Sequence, residues 1–217
     1  MKINTILFDY DGTLMDTESP IKKAWRYVFH HYANQSVEDD FLNTFLGEPV
    51  RLSVERLFPG QDAEEIVNAY RACQRDIYLN EIDLYPGMDK LAMELKEKGY
   101  RLGIVTSRLR SSLEQGLNKY GLLSVFDCLI TPEDIPQIKP APEPFFAALK
   151  MLDSTADRTL MIGDSEYDVQ GSRNAGILSI LVHWSLPLPE AMRVGENKPD
   201  FVIHDAEDVW EILEELK

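Results

Sequence analysis

Short apolar runs recur along the chain and predict the strands of a buried sheet. Five of them are strongly apolar, and a weaker sixth lies near the end of the sequence. The six runs cover residues 3–9, 101–106, 125–130, 159–163, 178–182 and 201–203. Continuous apolar runs are typical of strands whose two faces are both covered, so the pattern favours a parallel sheet with helices on both sides.

Helical stretches separate most of these runs, and several of them open after a proline or close at a glycine. They cover residues 87–98, 109–120, 142–152, 165–175 and 205–217. Strands that alternate with helices of this length predict an α/β fold built on a doubly wound, Rossmann-like parallel sheet.

Residues 19 to 82 break the alternation because they contain helical patterns and no strand-like run. The predicted helices cover residues 20–34, 37–46, 50–58 and 62–80. We therefore predict an α/β core domain formed by residues 1–15 and 84–217, with an all-helical cap domain, 16–83, inserted after the first strand. The segments 13–18 and 82–86 would act as hinges that let the cap open and close over a site at the ends of the strands.

Composition and charge exclude several classes of protein. The 217 residues carry a formal net charge of −15, which argues against a nucleic-acid binder because such a protein needs a basic face. No stretch approaches the roughly 20 apolar residues of a membrane span, and two aspartates interrupt the first apolar run, so we expect neither a membrane anchor nor a signal peptide. Cys73 and Cys128 are far apart in the sequence and predict ordinary reduced thiols. We expect a cytoplasmic protein, either a monomer or a homodimer.

The first strand is followed by two aspartates that predict phosphoryl chemistry. Asp9 and Asp11 stand two residues apart just past the strand, with Gly12 allowing a sharp turn. A carboxylate can attack a phosphoryl group, and a second carboxylate can handle the proton. The alternative is an Asp-Gly turn that only ends the strand.

Three further groups fall near the ends of later strands. Thr106 and Ser107 can hold a phosphate oxygen or cap the next helix. Lys139, in a proline-rich segment, can supply positive charge to a phosphate or serve as a surface lysine. Asp164 and Asp168 are spaced so that both can face one divalent ion, or Asp164 can cap a helix.

Taken together, the four groups resemble the motifs of the haloacid dehalogenase superfamily of phosphohydrolases. The matching segments are FDYDGTLMDTE, VTS, IKPAPEPF and GDSEYD, and the similarity spans essentially the whole chain. Within the superfamily, FLGEPV and LYPGM are similar to segments of the phosphoglycolate-phosphatase-like group.

The resemblance implies a role for each matched residue. Asp9 would be the nucleophile that forms an aspartyl-phosphate, and Asp11 the general acid and base. Mg²⁺ would be held by Asp9, the backbone carbonyl of Asp11 and Asp164, and Asp168 would support this site. The transferring phosphoryl group would be held by Thr106, Ser107 and Lys139.

The resemblance predicts a magnesium-dependent phosphatase acting on a small phosphate monoester, such as phosphoglycolate, a nucleotide or a sugar phosphate. The alternatives are an inorganic pyrophosphatase, a β-phosphoglucomutase-like enzyme or, in another class, a non-catalytic binding module. Arg51 in the cap and Arg108 beside the second motif are candidates for recognising an anionic substrate; a surface role is the alternative for Arg51.

Overall fold

Six parallel strands and the helices around them form the larger of two compact units of the chain. The computed structural model describes residues 2–185 and 198–217. The larger unit comprises Met1–Asp16 and Leu84–Lys217, and the smaller one comprises Thr17–Asp83.

The strands of the sheet are β1 (Thr5–Phe8), β4 (Arg101–Val105), β5 (Cys128–Ile130), β6 (Thr159–Gly163), β7 (Leu178–Val182) and β8 (Phe201–Ile203). Their order in the sheet is β5-β4-β1-β6-β7-β8, and neighbouring strands are parallel. From β1 the chain passes to β4 and β5 on one side of the sheet, and then crosses back to β6, β7 and β8 on the other side. This reversal of direction makes the sheet doubly wound, and it places the carboxyl end of β1 at the point where ligands bind in such sheets.

Helices flank the sheet in the order that the sequence pattern predicts. They are α5 (Met88–Glu97), α6 (Arg110–Lys119), α7 (Glu143–Met151), α8 (Glu166–Asn174) and α9 (Asp208–Glu215). The α/β prediction is therefore confirmed. The last helix begins three residues later than predicted, because the Asp208 carboxylate accepts hydrogen bonds from the backbone N–H groups of His204 and Asp205 at the turn before it.

The smaller unit consists of helices packed around an aromatic core. Its helices are α1 (Glu18–Ala33), α2 (Asp39–Asn43), α3 (Val50–Leu57) and α4 (Ala63–Glu81). The Trp25 ring centroid lies 4.9 Å from that of Tyr70 and 5.3 Å from that of Phe45, and all three side chains are buried. Helix α2 is much shorter than the predicted 37–46, since the chain turns at Thr44, whose hydroxyl donates to the carbonyl of Phe41.

Two strands of two residues each were not predicted from the sequence. They are β2 (Met15–Asp16) and β3 (Asp83–Leu84), which pair in a separate small sheet. They lie within the predicted hinge segments, where the two units are joined along the chain. A two-residue strand is too short to produce an alternating pattern, so nothing in the sequence distinguishes it from a loop.

Candidate active site

Asp9 is the first residue after the central strand β1 and is almost completely buried. Its backbone N–H donates to the carbonyl of Ile162 in β6 at 2.8 Å, which extends the parallel pairing past the end of β1. All four residues of β1, TILF, are buried, so Asp9 is held in the interior of the protein at the carboxyl edge of the sheet. The predicted nucleophile is therefore a rigidly held, desolvated carboxylate.

Lys139 lies between Asp9 and Asp168 and is also buried. Its Nζ is 2.8 Å from Asp9 Oδ1 and donates to Asp168 Oδ1 at 2.6 Å and to the carbonyl of Val105 at 3.0 Å. The lysine reaches this position from the loop between β5 and α7. Its positive charge therefore lies beside the carboxylate that the sequence predicts to be the nucleophile.

Asp168 uses both of its carboxylate oxygens within the protein. Oδ1 accepts from Lys139, and Oδ2 accepts from the hydroxyl and the backbone N–H of Ser165 at 2.6 and 3.2 Å. The contacts with Ser165 form a capping box at the start of α8. Asp168 thus fixes the lysine and the helix start at the same time.

Asp164 follows β6 and lies against the turn after β1. Its Oδ2 accepts a hydrogen bond from the hydroxyl of Ser185 at 2.7 Å. A Cβ atom on Gly12 would lie 2.0 Å from this same oxygen, and Gly12 has a φ of +74°. Only glycine therefore allows the first turn to approach the Asp164 carboxylate so closely.

The electrostatics of this cluster are unfavourable without an added positive charge. Burial raises the pKa of Asp9 to about 7 against the opposing effect of Lys139, and burial together with the charges of Asp9 and Asp168 raises the pKa of Asp164 well above its ordinary value. Burial alone would lower the pKa of Lys139, yet Asp168 and Asp9 raise it above its usual range. The lysine stays charged while the carboxylates repel one another.

This cluster fits a divalent cation. Ligand atoms of Asp9, Asp164 and Asp168 lie within 4.8 Å of one another. Asp9 Oδ1 is buried, and the ammonium group that contacts it, that of Lys139, is shared with Asp168. Hard oxygen donors and an uncompensated negative charge are what a hard divalent cation requires.

Asp11 is bound by Arg108, which the sequence had suggested as a substrate-binding residue. Nε of Arg108 lies 2.9 Å from both carboxylate oxygens of Asp11, and Nη2 lies 2.6 Å from Oδ1. The arginine side chain is 4% exposed and the Asp11 side chain 25%. In this structure the guanidinium is therefore committed to the predicted general acid and base.

Thr106 and Ser107 form the turn that follows β4. Thr106 is buried, and its hydroxyl accepts a hydrogen bond from the backbone N–H of Arg108 at 3.1 Å, whereas Ser107 is exposed. The residue before α6 is Leu109, and the first N–H group of this helix, that of Arg110, donates to the Glu133 carboxylate at 3.1 Å rather than to Thr106. Thr106 therefore stabilises the turn itself rather than the helix.

Arg51 belongs to the helical unit and lies on the exposed surface of α3. Its guanidinium forms ion pairs with Glu64 on α4 and, at 3.4 Å, with Glu55 one turn along α3. The structure thus gives it carboxylate partners within its own unit.

Ser185 is a residue of this centre that the sequence reasoning missed. It is the third residue after β7, at the same edge of the sheet as Asp9 and Asp164. The signal that indicates it is its position just past the carboxyl end of β7, because polar side chains at the carboxyl ends of parallel strands converge on one edge of the sheet.

We expect Gly12→Ala to impair the site far more than it impairs the fold. The new methyl group must displace Asp164, and a misplacement of about 1 Å near the reacting atoms costs roughly 10²-fold in rate. The measurement is phosphate release by the variant, with thermal unfolding recorded in parallel.

The matched control for this prediction is Gly121→Ala. Gly121 also has a positive φ, +70°, but a Cβ there would meet no atom of the described residues within 4 Å. Both variants therefore carry similar backbone strain of about 1–2 kcal/mol. An equal loss of activity in the two variants would contradict the proposed importance of the Gly12–Asp164 approach.

The fold and the site together define a class of enzyme. A doubly wound α/β unit carries a buried aspartate, a lysine and further carboxylates at the carboxyl edge of its sheet. Such a set neutralises charge and positions groups, which are the main requirements of phosphoryl transfer.

Comparison with known proteins agrees with this class. The family model described as haloacid dehalogenase-like hydrolase matches residues 6–182. The chain is 34% identical over 217 residues to the pyrophosphatase PpaX of Bacillus mycoides (strain KBAB4), covering 100% of this chain and 99% of the relative.

Solved structures give the same assignment. A hydrolase of the haloacid dehalogenase-like family from Streptococcus pneumoniae has 25% identity and a TM-score of 0.86, covering 97% of this chain and 98% of the other. A candidate phosphoglycolate phosphatase from Lactobacillus plantarum has 28% identity and a TM-score of 0.84, covering 98% of this chain and 100% of the other.

The chain therefore belongs to the haloacid dehalogenase-like hydrolases, and it is a phosphatase-type enzyme of that family with a small phosphorylated substrate. Phosphatases of this family use a divalent metal ion, and the acidic cluster of Asp9, Asp164 and Asp168 is suited to one. None of the helices in residues 2–185 and 198–217 has the length and apolar character needed to cross a membrane.

Proposed function

We propose that the protein is a magnesium-dependent phosphatase that hydrolyses a small phosphate monoester through an aspartyl-phosphate on Asp9. The observation that carries this proposal is the buried pair of Asp9 and Lys139, 2.8 Å apart within a cluster of carboxylates. A desolvated carboxylate beside a fixed positive charge is a nucleophile prepared for an anionic phosphoryl group.

In the first step a carboxylate oxygen of Asp9 attacks phosphorus while the bond from phosphorus to the leaving oxygen breaks. Asp11 gives its proton to that oxygen, so the leaving group departs as an alcohol. Lys139, Thr106 and the backbone of Ser107 hold the transferring oxygens.

In the second step water attacks the phosphorus of the aspartyl-phosphate. Asp11, now ionised, accepts a proton from the water, and the bond between phosphorus and the Asp9 oxygen breaks. Inorganic phosphate leaves, and the Asp9 carboxylate and the protonated Asp11 are regenerated.

Mg²⁺ would be held by the carboxylates of Asp9 and Asp164 and by the backbone carbonyl of Asp11. Bound there, the ion neutralises the charge of the carboxylates and of the phosphoryl group. Asp168 supports this site by holding Lys139, and Ser185 by donating to Asp164.

We assign residues 16–83 the role of a cap that selects the substrate and moves during turnover. Arg51 is the residue of this unit that we propose for recognition of an anionic substrate. To bind the substrate, Arg51 would have to break its ion pairs with Glu55 and Glu64. Exposed ion pairs contribute little to stability, so breaking them costs little free energy.

Inorganic pyrophosphate is the second candidate substrate. The observation that favours it is the 34% identity, along the full chain, to a protein named pyrophosphatase. The same residues would serve, with phosphate rather than an alcohol as the leaving group.

The test is phosphate release with and without Mg²⁺ from phosphoglycolate, pyrophosphate, nucleoside monophosphates and sugar phosphates. We expect turnover that requires Mg²⁺, with the highest kcat/KM identifying the substrate class. β-Glucose 1-phosphate is included because a mutase would convert it to glucose 6-phosphate instead of releasing phosphate. Formation of glucose 6-phosphate, or the absence of release from every compound, would overturn the proposal.

A further inference from the structure

We propose that Arg108 is a positioning residue, which acts by holding the Asp11 carboxylate in its catalytic orientation. This inference rests on the proposed role of Asp11 as general acid and base. It assigns Arg108 to the machinery of proton transfer, whereas the sequence suggested recognition of the substrate.

The contact between the two side chains has the geometry that fixes a carboxylate in a plane. Arg108 Nε lies 2.9 Å from each Asp11 oxygen, and Nη2 lies 2.6 Å from Oδ1. Two nitrogens of one planar guanidinium therefore contact the same carboxyl group, which restricts its rotation as well as its position. Oδ1 accepts from both nitrogens, so Oδ2 can carry the proton that Asp11 gives in the first step. A single hydrogen bond would leave the carboxylate free to rotate.

Arg108 is itself held in place by its surroundings. Its side chain is buried, its guanidinium carbon lies 5.7 Å from the ring centroid of Tyr10, and its backbone N–H donates to the hydroxyl of Thr106. The loop after β4 therefore forms a rigid support for the side chain. Asp11, by contrast, projects from the turn after β1 and is a quarter exposed, so it needs such a support to remain in one orientation.

The contact between Arg108 and Asp11 links the segment after β4 to the segment after β1. Thr106 and Ser107 hold the phosphoryl group, and the next residue along the chain fixes the group that handles the proton. Since general acid catalysis depends on the distance and angle to the leaving oxygen, loss of the support lowers the rate of the chemical step rather than the affinity for substrate.

The experiment is a double-mutant cycle with Arg108→Met, Asp11→Asn and the double variant. We expect Arg108→Met alone to lower kcat/KM for an alkyl phosphate by about 10²-fold through kcat, with KM nearly unchanged. In the Asp11→Asn background the same change should alter the rate by less than about twofold, because the group it positions is already lost.

A second readout compares leaving groups. p-Nitrophenyl phosphate expels a weakly basic phenolate that needs less protonation, so Arg108→Met should lower its kcat/KM by less than that of the alkyl phosphate. Arg108→Lys should restore only part of the activity, because an ammonium group cannot reproduce the planar two-nitrogen contact. The control variant is Arg110→Met, which removes a nearby guanidinium bound to Asp134 and should leave kcat unchanged.

The results of these experiments distinguish a positioning role of Arg108 from substrate binding and from an inhibitory contact. An undiminished effect of Arg108→Met in the Asp11→Asn background, or a loss seen mainly in KM, would overturn the inference in favour of substrate binding. A rise in activity would overturn it in favour of an inhibitory contact. The four proteins of the cycle are also compared by thermal unfolding, which needs no substrate; additive changes there would refute the contact itself. If the wild type shows no turnover but the effects of the two substitutions on thermal unfolding are non-additive, the result counts against the proposed function alone.

Discussion

Asp9→Asn is expected to abolish phosphate release while leaving the protein folded. The amide has nearly the same shape but cannot act as the nucleophile, and loss of a nucleophile typically costs about 10⁴- to 10⁶-fold in rate. The measurement is Mg²⁺-dependent phosphate release together with a search for a trapped phosphoenzyme, which should be absent from the variant.

The same substitution is expected to stabilise the metal-free protein at neutral pH. Asp9 is a buried carboxylate that shares one lysine with other carboxylates and whose pKa is raised by burial, so removing its charge relieves a cost of roughly 1–3 kcal/mol. Thermal unfolding in EDTA should show a higher Tm for Asp9→Asn than for the wild type. Addition of Mg²⁺ should then raise the Tm of the wild type more than that of the variant.

The pH dependence of this difference follows from the pKa of Asp9. Burial raises that pKa to about 7 in the folded protein, against about 4 in the unfolded chain. The folded state therefore binds the proton more tightly, and the stability this contributes is complete below pH 4 and is lost as the pH rises toward 7. The advantage of Asp9→Asn in EDTA should accordingly be largest at pH 7 and shrink toward pH 5.

The control for these measurements is Asp157→Asn, which removes an exposed carboxylate of the same unit. It should change neither the activity nor the Tm difference between pH 5 and pH 7. An Asp9→Asn variant that retained turnover would exclude the covalent mechanism. A variant with a lower Tm than the wild type in EDTA would contradict the account of the buried charge.

Lys139→Met is expected to remove both activity and a large part of the stability. Methionine has a similar length but no charge, so Asp9, Asp164 and Asp168 would remain buried without the ammonium group they share. Removing one partner of a buried ion pair typically costs about 3–5 kcal/mol. Chemical denaturation without metal measures this loss, and phosphate assays measure the activity.

Two further variants identify the cause of this loss. Asp168→Asn in the Lys139→Met background should restore part of the stability and none of the activity, because it removes a carboxylate that has lost its partner. Lys150→Met, which changes an exposed lysine on α7, should leave both quantities unchanged. Mg²⁺ should raise the stability of Lys139→Met more than that of the wild type. A Lys139→Met protein as stable as the wild type in EDTA would show that the lysine does not compensate the negative charge of the carboxylate cluster.

Much of the fold could be predicted from local hydrophobic patterns in the sequence. The run 159–163 matches β6 and the run 178–182 matches β7, because strands covered on both faces must be apolar throughout. The helix predicted at 109–120 is confirmed as Arg110–Lys119, ending before a glycine that adopts a positive φ. Where prediction failed, as at the shortened α2 and the two-residue strands, hydrogen bonds at a turn or between distant segments decided the outcome.

The aromatic residues of α1 show that spacing along a helix decides burial as much as residue type does. Trp25 and Phe29 are four residues apart, so they lie on one face of the helix, and both are buried in the core of the helical unit. Tyr27 is 44% exposed and stacks on His31, with ring centroids 5.7 Å apart. Its position two residues from Trp25 turns it to another face of the helix.

The sequence by itself determined the α/β fold, the order of its elements and the positions of the acidic and basic groups at the strand ends. These follow from residue type and periodicity, which act over a few neighbouring residues. Only the tertiary structure decided which side chains meet: that Lys139 lies between Asp9 and Asp168, that Ser185 holds Asp164, and that Arg108 binds Asp11. Such contacts join residues that are 21 to 130 positions apart, and their partners are fixed by the register of the sheet and by burial, which no local pattern encodes.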